Sequence, residues 1–277
     1  MDMKNSIDIV SKINYLVDVP LIINANIVEY DISKANINML LSYGMITIDE
    51  YNRFFNMDKM TREISIGRRM KDENNPDILT PEGILMQKNI KEGIMKAKTM
   101  LVESNKVIPE TIMRVANDAV YINGPKLQHT SFDINNNGVK INFKCDKVYN
   151  IMLNLNTVTI FIYDNPMADS LDVEVKGIND DILYKHEAFL GFICSLVTDM
   201  QRNGKEATLY RFNDFYERYV NMTLPIDYYR EFNSGSGFNI KGSGYIVDAL
   251  DDSCLSIIDI NYNLWILREL YSIILEH

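Results

Sequence analysis

The sequence has few cysteines and no long hydrophobic run. Its three cysteines (Cys145, Cys194 and Cys254) lie far apart, form no CxxC pair and have no histidine near enough in sequence to complete a metal site. A sparse, odd count predicts reduced thiols rather than a disulfide framework. No stretch approaches the roughly 20 consecutive apolar residues of a membrane span, and MDMKNSIDIV lacks the pattern of a signal peptide. These absences predict a soluble protein of the cytoplasm with no membrane partner.

Basic residues are scarce relative to acidic ones. The chain has 28 Lys and Arg against 38 Asp and Glu, which gives a formal net charge of −10. Simple nucleic-acid-binding modules usually carry a basic face, because phosphate contacts supply much of their affinity. An enzyme that binds divalent metal ions can still be acidic, because its site must concentrate carboxylates. The charge therefore counts against a plain binding module more than against a metal-dependent enzyme.

The composition is that of a globular protein. With 277 residues, of which 47% are hydrophobic, the chain can bury a sizeable core in one large domain or two smaller ones. The hydrophobic pattern changes from mixed helix and strand to mostly helix near residue 180. We therefore predict an α/β (α+β) domain over residues 1–180, with an antiparallel sheet and helices, and a mostly helical domain over 181–277.

The N-terminal domain opens with a strand that leads into helices. Residues 20–32 (PLIINANIVEYDI) are rich in Ile and Val and predict a strand buried on both faces. Ser33 is a candidate N-cap for the helix that follows, and Gly44 is its expected stop. Thr47, with a Glu three residues later, predicts a capping box at the start of the next helix.

A long helix and a hairpin come next. Residues 81–105 have the apolar spacing of one amphipathic helix, with Pro81 suited to its first turn. Apolar runs flank the segment Ala116–Asp118, which predicts a β-hairpin with an acid in its turn. Further strands follow on either side of the loop 135–138.

Asp31 and Asp118 are the residues that best indicate chemistry. Asp31 ends the buried strand and Asp118 lies in the predicted hairpin turn. If that strand lies beside the hairpin in one antiparallel sheet, the two carboxylates emerge at the same end. Such oxygen ligands suit Mg²⁺ or Mn²⁺ ions, which keep waters and substrate phosphates as their other ligands. The structural alternatives are a helix-start acid for Asp31 and an ordinary turn residue for Asp118.

Two segments resemble motifs of the B-family DNA polymerases. Residues 28–39 (VEYDISKANINM) resemble motif A, in which a strand ends in Asp and runs into a helix. Residues 115–122 (VANDAVYI) resemble motif C, which reads Asp-Thr-Asp-Ser between two strands. The order of strand, helices, long helix and hairpin over residues 20–145 is similar to that of a polymerase palm.

The resemblance implies a template-dependent nucleotidyltransferase that uses two Mg²⁺ (or Mn²⁺) ions and takes nucleic acid and a nucleoside triphosphate as substrates. Asp31 would be the motif A metal ligand, and Asp118 would match the second Asp of motif C. Ala116 stands where motif C has its first Asp, and the pattern of motif B is absent. Asn36 stands where motif A usually has the Tyr that screens the sugar, so the choice between dNTP and NTP stays open.

Four cations are approximate candidates for contacts to the triphosphate. They are Lys88, Lys91, Arg68 and Arg69, all on predicted helices. A solvated helix face is the alternative interpretation of the two arginines.

The C-terminal half has two further patterns. Aromatic residues at 210–219 alternate with Arg211 and Arg218 and could stack on bases, but their spacing favours helix packing. The Gly/Ser-rich segment 234–244 could bind a phosphate through its backbone, although a flexible hairpin or linker is the favoured interpretation.

Two other classes of function stay open. The missing third acid, the absent motif B and the negative charge favour a non-catalytic, palm-like accessory or subunit protein of phage replication or transcription. A virus–host interaction protein is the third possibility. The abundance of Asn, Ile, Lys and Met is typical of AT-rich genomes, those of phages among them. The helical C-terminal half is the candidate surface for a protein partner, and the host cytoplasm is the expected location.

Overall fold

A computed structural model of the chain describes residues 3–155, 158–165, 167, 170–177, 187–229 and 257–277. These residues form two compact units. The first comprises Met1–Val17 and Asn26–Val148, and the second comprises Asp18–Ala25 and Tyr149–His277. The predicted α/β (α+β) class, with antiparallel sheets and a helical C-terminal region, is confirmed.

The helices and strands of the described residues follow the chain in this order. The helices are α1 (Met3–Val10), α2 (Ala35–Ser42), α3 (Ile48–Phe55), α4 (Lys59–Arg69), α5 (Pro81–Ser104), α6 (Glu187–Val220) and α7 (Ile257–Glu276). The strands are β1 (Tyr15–Leu16), β2 (Leu21–Ile22), β3 (Ile27–Ile32), β4 (Ile112–Val115), β5 (Ala119–Asn123), β6 (Ser131–Asp133), β7 (Lys140–Lys144), β8 (Val148–Tyr149), β9 (Ile151–Leu155), β10 (Val158–Asn165) and β11 (Ser170–Lys176).

The sheet of the first unit has the order β1-β4-β5-β3-β7-β6, and β8 also pairs with β3. The predicted strand over residues 20–32 is two strands, because Asn24 adopts a left-handed conformation with φ of 54°. After this break β3 pairs with β5, whereas β2 pairs with β9 in the other sheet. The predicted hairpin of residues 112–123 is confirmed as β4 and β5.

Two of the three helix starts predicted from the sequence are confirmed. The capping box at Thr47 is present, and Pro81 occupies the first turn of α5. Helix α2 instead begins after Lys34, which has a φ of 47° and supplies no side-chain cap, so Ser33 is not its N-cap. Gly44 follows α2 with a φ of 66°, as expected for a glycine that ends a helix.

Helices α2 and α5 lie against one face of this sheet. The strand residues Val28, Tyr30 and Ile32 belong to the same buried cluster as Ile94 and Leu101 of α5. Because side chains alternate along a strand, residues 27, 29 and 31 of β3 lie on the opposite face. This alternation decides which way Asp31 faces.

The second unit has the sheet β11-β10-β9-β2 and the helices α6 and α7. Its core is aliphatic and aromatic, and α6 is interrupted at Gly204, which has a φ of 80°. The fully buried carboxylate of Asp164 pairs there with the partly exposed Arg202: Arg202 Nε donates to Asp164 Oδ2 at 2.8 Å, and its Nη2 donates to the other carboxylate oxygen.

The chain passes from the first unit to the second between residues 17 and 18, returns between 25 and 26, and passes again between 148 and 149. Strands β9, β10 and β11 belong to the second unit because they pair with one another and with β2. A functional division into a palm-like domain and a partner-binding domain stays a prediction.

Candidate functional site

Asp31 and Asp118 lie on neighbouring strands at one end of the first sheet. Asp31 is directly opposite Ala119, and the Ile32 N–H donates to the Asp118 carbonyl at 3.0 Å. Paired α-carbons are about 4.5–5.5 Å apart, and one further residue adds about 3.8 Å. The α-carbons of the two aspartates are therefore no more than about 9 Å apart, as the expected pairing of strand and hairpin requires. Both side chains are half-buried.

The register fixes the face on which Asp31 lies. Residues that are directly opposite in an antiparallel pair share a face, so Asp31 shares one with Ala119. Glu29 is on the same face and accepts a hydrogen bond of 2.7 Å from the Tyr121 hydroxyl. Lys147 lies 3.5 Å from the Glu29 carboxylate. Asp31 therefore faces away from α5, in a row that already holds a second acid.

The hairpin turn receives a lysine from the opposite side of the sheet. Lys98 of α5 is 3% exposed, and its Nζ donates to the Ala116 carbonyl at 3.2 Å. Burial lowers the pKa of Lys98 to about 8, and the negative charge of Asp118 acts in the opposite direction. A cation is thus built into the turn that carries Asp118.

Lys98 is a site residue that the sequence patterns above did not single out. Its signal is its place on the buried stripe of α5, four residues after Ile94 and three before Leu101. A charged residue within an apolar stripe is rarely fully buried unless it is paired. That rule is enough to mark Lys98 as a candidate from the spacing of its neighbours alone.

Further cations lie around the end of β3. Lys144 of β7 is directly opposite Asp31. Lys34, at the start of α2, donates to the Phe55 carbonyl at 2.9 Å. Burial lowers the pKa of Lys34, and the charges of Arg62 and Lys144 lower it further. Lys34 is therefore close enough to Arg62 and to Lys144 to be repelled by both, and Lys144 is directly opposite Asp31.

A cleft of about 340 Å³ opens beside the hairpin turn. Its lining comes from α2, α4, α5 and the turn, and consists of Asn36, Glu63, Ile66, Gly67, Met70, Gln87, Ile90, Lys91, Ile94 and Asn117. Small-molecule sites typically have volumes of about 300–1,000 Å³ with mostly apolar walls and a few polar groups. The volume of the cleft lies within that range, but half of its lining residues are polar or charged. Asn117 joins the cleft to the turn that contains Asp118.

Two of the five candidate substrate-binding residues, Asn36 and Lys91, line this cleft. Asn36 lines it, whereas Lys88 and Arg68 are exposed on α5 and α4 and are not part of its lining. Arg69 is held by an ion pair with Glu50 and donates to the Met45 carbonyl at 3.2 Å. Lys91, on the turn of α5 that follows Lys88, is the cation that the cleft does contain.

The two aspartates form a sparse set of metal ligands. Among the described residues there is no group of three His, Cys, Asp or Glu side chains that could hold a metal ion. Mg²⁺ is nevertheless commonly held by one or two carboxylates, with waters and substrate phosphates as its other ligands. Asp31 lies on the face of β3 away from α5, whereas Asp118 lies close enough to Lys98 of α5 to act on its pKa. The roles of the two aspartates as metal ligands stay a prediction.

The remaining candidates lie elsewhere. Phe212, Phe215 and Tyr219 of the aromatic run are buried in the core of the second unit, as the helix-packing interpretation requires. Tyr210 is 81% exposed. The Gly/Ser-rich segment 234–244 lies outside the described residues. No helix in the described part of the chain has the length and hydrophobicity needed to cross a membrane.

Comparison with known proteins gives one family. A family model described as "Bacteriophage PBS1 gene 130 protein" matches residues 4–276. No curated protein matches the sequence. The match covers nearly the whole chain and confirms the predicted phage-type protein.

Proposed function

The chain belongs to the bacteriophage PBS1 gene 130 protein family, and we propose that it is a template-dependent nucleotidyltransferase that uses divalent metal ions. The observation that carries this proposal is the pairing of β3 with β5, which brings Asp31 beside the turn that holds Asp118. Acids at these two places are what the resemblance to motifs A and C implies. Nucleic acid and a nucleoside triphosphate would be the substrates.

The residues around the aspartates suit phosphoryl transfer, in which positioning and charge supply most of the catalysis. Asp31 and Asp118 would hold Mg²⁺ or Mn²⁺, which when bound would activate the attacking hydroxyl and stabilise the leaving group. Lys144 is directly opposite Asp31, and Lys34 follows three residues after it; their positive charge would attract the phosphates of a substrate. Lys88 and Arg68 are exposed and could contact more distant phosphates.

Primer extension tests the proposal. The wild-type chain should extend a primer on a template with Mg²⁺ or Mn²⁺. Asp31→Asn and Asp118→Asn should each lower the rate by about a hundredfold or more, because loss of a metal ligand removes several kcal/mol of transition-state stabilisation. Far-UV circular dichroism should show that both variants keep the fold.

Asp146→Asn is the matched control, because Asp146 is an exposed acid of the same unit. It should extend primers at the wild-type rate. Full activity in either Asp31→Asn or Asp118→Asn would contradict the proposal, as would a wild-type chain that extends no primer under any metal condition.

A second candidate is a non-catalytic, palm-like accessory or subunit protein of phage replication or transcription. Two observations favour it. Lys98 already supplies a positive charge at the turn of Asp118, and Asp31 faces away from the helix that carries Lys98. Asp31 and Asp118 would then have structural roles. The turn would lack a third acid, because Ala116 stands where motif C has its first Asp.

Binding at several salt concentrations separates this candidate from an interaction protein without a nucleic-acid role. An accessory protein should hold primer–template with an affinity that falls steeply as salt rises, and should show no extension. A chain that binds no nucleic acid at low salt would contradict both the transferase and the accessory proposals.

A further inference from the structure

The cleft of the first unit contains an acid–amide pair that the proposed metal chemistry does not use. Asn36 Nδ2 donates to Glu63 Oε2, which joins the start of α2 to α4. The other carboxylate oxygen of Glu63 lies 3.5 Å from Arg62 Nε. Glu63 still has 38% of its side chain exposed, and both Glu63 and Asn36 line the cleft.

This pair offers hydrogen-bond acceptors to a ligand. A carboxylate accepts about four hydrogen bonds, and within the described residues Glu63 receives one hydrogen bond and one longer ionic contact. Because the Asn36 amide donates through its nitrogen, its oxygen is directed elsewhere, and no donor among the described residues reaches it. Two acceptors with open positions side by side suit a ligand that presents hydroxyl groups.

The other walls suit a nucleoside. Ile66, Ile90 and Ile94 line the cleft but are almost fully buried, so they give it an apolar floor, and Lys91 and Gln87 supply a cation and an amide. A carboxylate that accepts from the ribose 2′-hydroxyl is a recurrent way in which proteins bind nucleotides. A deoxyribose has no hydroxyl at that position to donate.

The cleft also leaves space at its helix wall. A Cβ atom built at Gly67 meets nothing within 4 Å. Glycine in a helix interior is less stable than alanine because it loses more backbone freedom on folding, so this position gives up helix stability and exposes backbone to the cleft. A larger side chain here would enter the space that a ligand would occupy.

We propose that the cleft binds a ribonucleotide and that Glu63, positioned by Asn36, selects ribose over deoxyribose by accepting a hydrogen bond from the 2′-hydroxyl. The inference rests on the proposed nucleotidyltransferase function, of which it names the substrate class. The sequence leaves the choice between NTP and dNTP open, because Asn36 replaces the Tyr of motif A; the inference is that the substrate is an NTP.

The test is calorimetric titration of the full chain with ATP and with 2′-deoxyATP, both in the presence of Mg²⁺. A hydrogen bond to a charged group makes a difference of about tenfold or more in affinity, so ATP should bind at least about tenfold more tightly than 2′-deoxyATP. Glu63→Gln and Asn36→Ala should reduce that ratio towards one. Glu103→Gln, which removes an exposed acid from the far end of α5, should leave the ratio unchanged.

Two further variants distinguish the contribution of the sugar to affinity from that of the rest of the nucleotide. Lys91→Gln should weaken ATP and 2′-deoxyATP equally, because a phosphate contact does not depend on the sugar. Gly67→Leu should abolish binding of both while the chain keeps its circular dichroism spectrum and unfolding transition. Binding of ATP that survives Gly67→Leu would place the nucleotide outside the cleft and overturn the inference.

The outcomes distinguish the inference from the proposed function. Equal affinity for ATP and 2′-deoxyATP, or no binding of either, overturns the selection of ribose by Glu63. A strong preference for ATP without primer extension supports the cleft and contradicts the transferase. Extension that uses rNTP and dNTP equally well supports the transferase and contradicts the inference.

Discussion

The two units bury charge in different ways. In the second unit Asp164 has a fully buried side chain and is held by a two-pronged contact from Arg202, so the charge is neutralised within the fold. In the first unit Lys98 is buried against a backbone carbonyl and near the carboxylate of Asp118, and its pKa is well below the ordinary value. The ion pair of Asp164 and Arg202 stabilises the fold. The buried charge of Lys98 is only partly compensated, so it carries a free-energy cost that remains in the folded state.

That contrast separates structural from functional charge. Perturbed titratable groups beside a cleft are candidates for function, because a fold has no stability reason to retain them. Both units have apolar cores of similar kind, so hydrophobic burial does not indicate where function lies. The incompletely neutralised charge of Lys98 is what makes the hairpin turn of the first unit a candidate site.

The largest expected effect is on the ion pair of the second unit. Arg202→Met should lower the free energy of unfolding by about 3 kcal/mol, because it leaves the buried carboxylate of Asp164 without its partner. Urea denaturation measures the change. Arg218→Met is the control, since Arg218 is 4.0 Å from Asp214 in an exposed pair, and such pairs contribute about 0.5 kcal/mol or less. Equal effects of the two substitutions would remove the contrast between the units.

The opposite sign is expected for Lys98→Met. The pKa of Lys98 is about 8 in the folded chain against an ordinary value of 10.5, so at pH 7 the folded state carries a charge that burial disfavours. Removing that charge should stabilise the chain at pH 7 by up to about 3 kcal/mol.

The pH dependence gives the same prediction a second measurement. Between pH 8 and 10.5 the unfolded wild-type chain binds more protons at this lysine than the folded chain does. Stability of the wild type should therefore rise with pH across this window, and Lys98→Met should lack that rise. If wild type and Lys98→Met show the same dependence of unfolding free energy on pH, burial does not lower the pKa of Lys98.

A smaller effect tests how tightly helices approach in each unit. A Cβ atom at Gly83 would lie 1.9 Å from the Met70 carbonyl oxygen, whereas one at Gly191 of α6 meets nothing within 4 Å. Gly83→Ala should destabilise the chain by about 1–3 kcal/mol through overpacking. Gly191→Ala should stabilise it by about 0.5–1 kcal/mol. Thermal unfolding compares the two, and stabilisation by both would mean that α5 can move away from Met70 freely.

The parts of the fold that follow from local chemistry were predictable. The capping box at Thr47, the proline start of α5 and the hairpin around Asp118 each depend on a few neighbouring residues. The pairing of β3 with the hairpin was also expected, because the resemblance to motifs A and C supplied a long-range contact that periodicity alone does not give.

Other features depend on contacts that the local sequence does not encode. Asn24 and Lys34 take left-handed conformations that split a strand and displace a helix start, and neither residue type requires this. The pairing of β2 with β9 and the acid–amide contact of Glu63 with Asn36 join residues that are distant in sequence. Lys98 has a local signal, because a lysine stands on the apolar stripe of α5 between Ile94 and Leu101.

The strand β2 has a consequence for synthesis of the chain. Leu21 pairs with Leu153, so the segment 18–25 is made 132 residues before its partner. At about 5–20 residues per second on a ribosome, this segment waits roughly 7–26 s before β9 exists. During that time the first unit can form on both sides of it while the segment itself has no partner strand. Its exposed backbone is then open to a chaperone or to a neighbouring nascent chain, so the yield of correctly folded protein should depend on how fast the middle of the chain is translated.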